Sequence, residues 1–143
     1  MIDMDSWLQL KGDVCEFRPN GVRSLVEVVD LVKRAISWCR ERRIGKLIIC
    51  CTDVSGVRVP TLVDRFLAVE QWADAAQGMV IVVLVVHPEY VHPKKFGIRV
   101  ALDLGLVADV YTSEADALIW LNSGKPPDLV DYVASNYGAH KER

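Results

Sequence analysis

Apolar residues fall along this chain in two alternating rhythms: short runs of strand length, and longer stretches that repeat every three or four positions. Trp7–Leu10 and Val14–Phe17 are short apolar-rich runs around Gly12-Asp13, which predicts a β-hairpin. Pro19-Asn20-Gly21 then breaks the chain. From Ser24 the period changes, and Leu25, Val28, Val29, Val32, Ile36 and Cys39 make one helical stripe. Ser24 and Glu27 form a capping box at its start, in which each side chain satisfies the other residue's free N–H. Arg40, Arg42 and Arg43 suit the negative end of the helix dipole, and Gly45 stops the helix. Lys46–Thr52 has strand length, and Asp53-Val54-Ser55-Gly56 makes a turn. Thr61 and Asp64 give a second capping box, after which Val63, Phe66, Leu67 and Ala73 can share one helix face up to Gly78.

Met79–Val86 is apolar at every position, which predicts a strand covered on both faces, as in a parallel sheet flanked by helices. An irregular loop, His87–Pro93, leads to a helix over about Lys94–Leu104 with Phe96, Val100, Ala101 and Leu104 inward. Ala108–Tyr111 is a last short strand. Ser113 caps a last helix, with Asp116 in the box position and Ala117, Leu118, Trp120 and Leu121 as its apolar content. Pro126-Pro127 ends the body; Asp128–Asn136 reads as one short helix and Ala139–Arg143 as a frayed end. The order β-β-α-β-α-β-α-β-α predicts an α/β domain over residues 1–123, with residues 124–143 as a tail. Its sheet is mixed, with about five strands, an N-terminal hairpin at one edge and about four helices.

Composition narrows the function classes. The chain has 143 residues, 51% of them hydrophobic, which suits one folded domain and excludes disorder. A net charge of −2 argues against a nucleic-acid partner. The longest apolar run, Met79–Val86, is far short of the roughly 20 residues of a membrane helix, so no integral membrane segment is expected. Met1–Asp5 is acidic and does not resemble a signal peptide, which points to a cytoplasmic protein. Cys15, Cys39, Cys50 and Cys51 show no metal-knuckle or C-x-x-C spacing and read as free core cysteines of a reducing compartment.

Three stretches carry a family resemblance: LIICCTDVSGV at 47–57, HPKKFGIRVALDLGL at 92–106, and ADVYTSEADALIWL at 108–121. In this order and spacing the chain resembles the STAS domain of anti-sigma-factor antagonists, and more closely the small bacterial proteins of the SpoIIAA-like superfamily. The resemblance implies a regulatory or protein-interaction module, with a partner protein or a second copy meeting the Asp53–Asp64 loop and the helix after it. It also implies, through lipid-binding relatives of the fold, a carrier or sensor that holds a small apolar or anionic ligand near the strand ends. STAS antagonists are switched by phosphorylation in a D-S-S-G motif. Here Thr61, Leu62, Val63 and Asp64 stand at those positions, so valine replaces the phosphoserine and Thr61 is the nearest hydroxyl.

The candidate binding residues are Asp53, Ser55, Thr61, Lys94, Lys95 and Phe96. Asp53 and Ser55 follow a predicted central strand, where open α/β sheets take ligands, though the same pair also suits an Asx-type turn. Thr61 is an N-cap. Lys94 and Lys95 precede a helix start, which reads either as an anion site or as two solvated lysines. Phe66, Val86, Tyr90 and Phe96 are expected to line an apolar pocket. His87, Glu89 and His92 share a loop, but their spacing matches no metal motif, and no metal or cofactor is expected. Trp38 and Trp72 lie at the edges of their stripes, where one would mark a partner surface. A small enzyme built on Asp53, His87 or His92 is the remaining alternative; no P-loop, G-x-G-x-x-G or G-x-S-x-G is present.

Overall fold

The computed structural model describes residues 4–132. After a short 3-10 turn, β1 (Leu8–Lys11) and β2 (Val14–Phe17) form the expected hairpin. A two-residue strand β3 (Gly21–Val22) precedes α1 (Leu25–Glu41), and β4 (Lys46–Cys50) follows. Then come β5 (Val54–Ser55), α2 (Leu62–Ala76), β6 (Ile81–Val85), α3 (Phe96–Asp103), β7 (Ala108–Tyr111) and α4 (Glu114–Leu121). The main sheet runs in the order β1-β2-β4-β6-β7, antiparallel at the hairpin and parallel elsewhere. The fold is α/β, with a mixed five-stranded sheet and four helices among the described residues.

Because the parallel strands are added in one direction, crossovers of one hand place their helices on one face. Accordingly α1, α2 and α3 share a core with Leu47 and Ile49 of β4, Val82 of β6 and Ala108 of β7. The alternate residues Ile48, Cys50, Val83 and Val85 point the other way, onto Ala117, Trp120 and Leu121 of α4. The unbroken apolar run of β6 is thus covered on both sides, as its composition predicts. Both capping boxes form, at Ser24/Glu27 and Thr61/Asp64. At Ser113 only the Asp116 N–H bond to the serine oxygen is made.

Four expectations are corrected. The inward residues of α2 are Ala68, Val69, Ala75 and Ala76, with Trp72 partly buried, whereas Val63, Phe66 and Leu67 are exposed. In α3 the buried residues are Ile98 and Ala101, and Leu104 is exposed. The turn after β4 also carries β5, which pairs in parallel with β3; the positive φ of Gly56 (+84°) ends this ribbon. Of the expected helix over Asp128–Asn136, residues 128–132 are irregular and 133–136 lie outside the described residues, as do residues 139–143.

On the α4 face, Arg18 forks onto Glu114, with Nη1 and Nη2 each donating at 2.8 Å, and Nη2 also reaches Glu16 at 3.2 Å. Arg18 holds the Glu114 carboxyl below its ordinary pKa. A carboxyl depressed in the folded state stabilises the fold above its unfolded pKa, and that contribution is lost as pH falls. Because Glu114 is 42% exposed, solvent screening limits this to about 1 kcal/mol or less. Glu114→Gln is expected to lower the urea midpoint at pH 7 and to lower it less near pH 3. An equal loss at both pH values would contradict the ion pair's role.

Candidate functional site

An apolar crevice of about 170 Å³ opens where the parallel strands end. Leu25, Val28, Val29 and Val32 of α1 form one wall, and Ala68, Val69 and Trp72 of α2 another. Gly97, Ile98 and Ala101 of α3 close the third side. The sheet supplies the floor through Val82, Leu84, Ala108 and Val110. Helical phase explains the walls: Arg65, Ala68, Val69 and Trp72 recur at three- and four-residue spacing from the Thr61 cap, so they share the inner face. At the mouth, the Tyr90 hydroxyl donates to the Val57 carbonyl at 2.6 Å and ties the 87–92 loop to the segment before α2. The Trp72 indole N–H donates to Val29 O at 3.0 Å, fastening α2 to α1.

Of the residues expected to line a pocket, Val86 and Tyr90 do. Phe66 lies on the outer side of α2, 40% exposed, and Phe96 packs against the His92 ring with centroids 6.1 Å apart. Asp53 and Ser55 are exposed and outside the crevice; their backbone carbonyls accept from Gly21 and Arg23 N–H, which builds the β3–β5 ribbon. Thr61 is an exposed N-cap whose Oγ1 accepts from Asp64 N–H at 3.1 Å.

Lys94 and Lys95 separate. Lys94 is solvated and pairs with Asp131 at 2.7 Å. Lys95 contradicts the solvated reading: it is 7% exposed, and its Nζ donates to Asp109 Oδ1 at 2.9 Å and to Asp128 O at 2.7 Å. Its charge is met inside the protein, which also removes it from an anion site. Lys95 adopts a left-handed backbone (φ +52°), a conformation costing about 1–3 kcal/mol that the double anchorage of its side chain holds in place.

The histidines are also engaged. His87 Nε2 lies 3.1 Å from Thr52 O, and His92 Nδ1 accepts from Lys94 N–H at 3.0 Å. His140 lies outside the described residues. Glu16, Cys50 and Glu114 come close enough to share an ion, but Arg18 bonds both carboxylates and burial pushes the Cys50 thiol up to about 11. That cluster is a satisfied ion pair beside a neutral thiol. Cys51 lines the crevice and is likewise a neutral thiol, pushed up to about 12 by burial. Trp38 lies under the Arg42 guanidinium at 4.1 Å, and Trp120 is buried.

Two residues that decide the charge at the site escaped the sequence reading. Arg65 sits on the inner face of α2, and Asp109 is a fully buried acid in an edge strand. Each had a signal: a charge in phase with Ala68, Val69 and Trp72, and a lone charge inside the apolar run ADVY. Among the described residues no helix is long and apolar enough to cross a membrane. No protein-family model matches the chain, and no curated protein matches it.

Proposed function

We propose that this chain is a non-enzymatic binding module of the SpoIIAA-like type, a carrier or sensor that holds a small apolar ligand in the crevice. The crevice carries this reading. It runs between the sheet and α1, α2 and α3, and its mouth, at Val86, His87 and Tyr90, lies at the carboxyl end of β6, where open α/β sheets take ligands. Its 170 Å³ compares with the engineered apolar cavity of about 150 Å³ that stays dry and takes benzene. The element order and the three sequence stretches that resemble SpoIIAA-like proteins support the family.

The outer face of α2 favours a second reading, an interaction module. Leu62, Val63, Phe66 and Leu67 form an exposed apolar row on one helix. Arg58 and Asp64, the charges at its start, are paired with each other, and Glu70 is the exposed charge one turn on. An apolar, self-complementary row fits a second copy of this chain.

Native mass spectrometry of the purified chain, against a denatured control, tests both readings. Under the first, a small-molecule mass is retained and lost on denaturation, or added indole raises the thermal midpoint. The absence of both effects would overturn it. Under the second, a dimer is present that Phe66→Asp converts to monomer; a wild-type monomer at micromolar concentration would exclude it.

A further inference from the structure

We infer that the ligand of this crevice is a small carboxylate, with its apolar body among the valines and its anionic group on Arg65. This rests on the ligand-binding reading of the crevice and adds the chemical class. Besides the neutral thiol of Cys51, six titratable or charged side chains face the crevice: Asp64, Arg65, His87, Tyr90, His92 and Lys95.

Four of these are spent within the protein. Asp64 accepts from Arg58 and from Thr61 N–H. His87 meets Thr52 O, and the Tyr90 hydroxyl donates to Val57 O. Lys95 is held by Asp109 and Asp128. Two remain, and both present donors. Arg65 gives one hydrogen bond, from Nη1 to Tyr90 O at 3.2 Å. Its Nε is buried without a partner, and no ion pair forms with it among the described residues. Its Nη2 also has no protein partner among the described residues and is not closed off; an unmet charged donor costs about 1–3 kcal/mol or more, so the site favours an occupant that accepts from this end of the guanidinium. His92 accepts through Nδ1 from Lys94 N–H, so the neutral ring carries its proton on Nε2 and donates from that side. Burial and the charge of Arg65 both lower the His92 pKa, which keeps the ring neutral at pH 7 and places it within the field of that guanidinium.

One uncompensated cation beside one neutral donor suits a monoanion. A guanidinium fork matches the two oxygens of a carboxylate. The volume limits the apolar body to about one aromatic ring or a short alkyl chain. Phenylacetate and hexanoate are therefore the probes, with phenylacetamide as the neutral isostere and inorganic phosphate as the apolar-free anion.

Binding is read by calorimetry and by the fluorescence of Trp72, which lines the crevice. Phenylacetate is expected to bind at least tenfold tighter than phenylacetamide, and phosphate to bind weakly or not at all. Arg65→Gln should abolish the preference for the acid while keeping phenylacetamide binding; Arg65→Lys should restore part of it. Equal binding of acid and amide by the wild-type chain would overturn the inference while leaving the apolar-ligand reading intact. Phosphate binding as tight as phenylacetate would overturn it in favour of a plain anion site. Binding of none of the probes, indole included, would overturn both. The wild-type comparison stands even if an Arg65 variant fails to fold.

Discussion

Asp109→Asn is expected to lower the unfolding free energy by about 3–5 kcal/mol, the cost of breaking a buried ion pair by removing one partner. Asp109 is fully buried in β7, the edge strand of the sheet. Its Oδ1 accepts from Lys95 Nζ at 2.9 Å and from Val110 N–H at 2.8 Å, while Oδ2 accepts from Asp128 N–H at 2.9 Å. One carboxylate thus ties together the edge strand, the residue that starts α3 and the segment after α4. Asparagine keeps one acceptor oxygen, so either Lys95 or Asp128 N–H loses its partner, and Lys95 stays buried with an uncompensated charge. Around this clamp, Arg99 donates to Leu129 O at 2.8 Å, Trp120 donates to Pro126 O at 3.1 Å, and Leu129 packs on the main core. Residues 126–129 therefore cover the sheet edge, one way a protein blocks strand addition there. Urea unfolding measures the loss, and faster hydrogen exchange of the Asp128 N–H, which Asp109 Oδ2 accepts, reports release of the segment. The double variant Lys95→Met/Asp109→Leu removes both charges and is expected to lose less than Asp109→Asn. The cycle through the singles gives the coupling. An unchanged midpoint for Asp109→Asn would show that the pair is not buried in solution.

The clamp also bears on the crevice. Lys95 lines it, yet its charge is neutralised by Asp109, which leaves Arg65 as the cation facing the apolar interior without a carboxylate. Sequence reading could not separate these two. Lys95 and its partner are 14 residues apart and meet only because β7 is the edge next to the start of α3. The lysine pair Lys94-Lys95 looks alike in sequence, and only the left-handed turn at Lys95 sends one inward and one to Asp131.

Elements were legible where a local device marks them. Ser24/Glu27 and Thr61/Asp64 mark helix starts by chemistry within one turn. The apolar run of β6 marks a strand by composition alone. The rotational phase of α2 was not legible, because Leu62, Val63, Phe66 and Leu67 outside are as apolar as Ala68, Val69 and Trp72 inside. A hydropathy pattern fixes phase only when the two faces differ. That misphasing placed Phe66 in the pocket and hid Arg65. Asp53 and Ser55 had the right address, at the end of a central strand, but their backbone pairs with β3 and leaves the crevice to the neighbouring Val54 and Val57.

Trp72→Ala is expected to cost about 3 kcal/mol, and indole is expected to return much of it. Truncating a core tryptophan costs about 3–5 kcal/mol; the lower end applies because Trp72 is only partly buried. Two contributions are lost: the ring that walls the crevice between α1 and α2, and the indole hydrogen bond to Val29 O at 3.0 Å. Trp72→Phe separates them, since it keeps most of the ring and loses the N–H, for about 1 kcal/mol. In Trp72→Ala the vacated space joins an apolar crevice that already holds about 170 Å³, so it offers indole a dry site of matching shape. A ligand at a hundred times its Kd adds about 2.7 kcal/mol to the folded state, comparable to the loss. Thermal unfolding of the wild type and both variants, with and without indole, measures this. The alanine variant should fall by roughly 10 °C and recover several degrees with indole. Its indole response should exceed that of the wild type, whose crevice is narrowed by the native ring. If the alanine variant loses no more than the phenylalanine variant, the ring contributes no packing. If indole stabilises neither variant, the crevice collapses when its wall is removed, and it is not the preformed apolar site that the walls of α1, α2 and α3 describe.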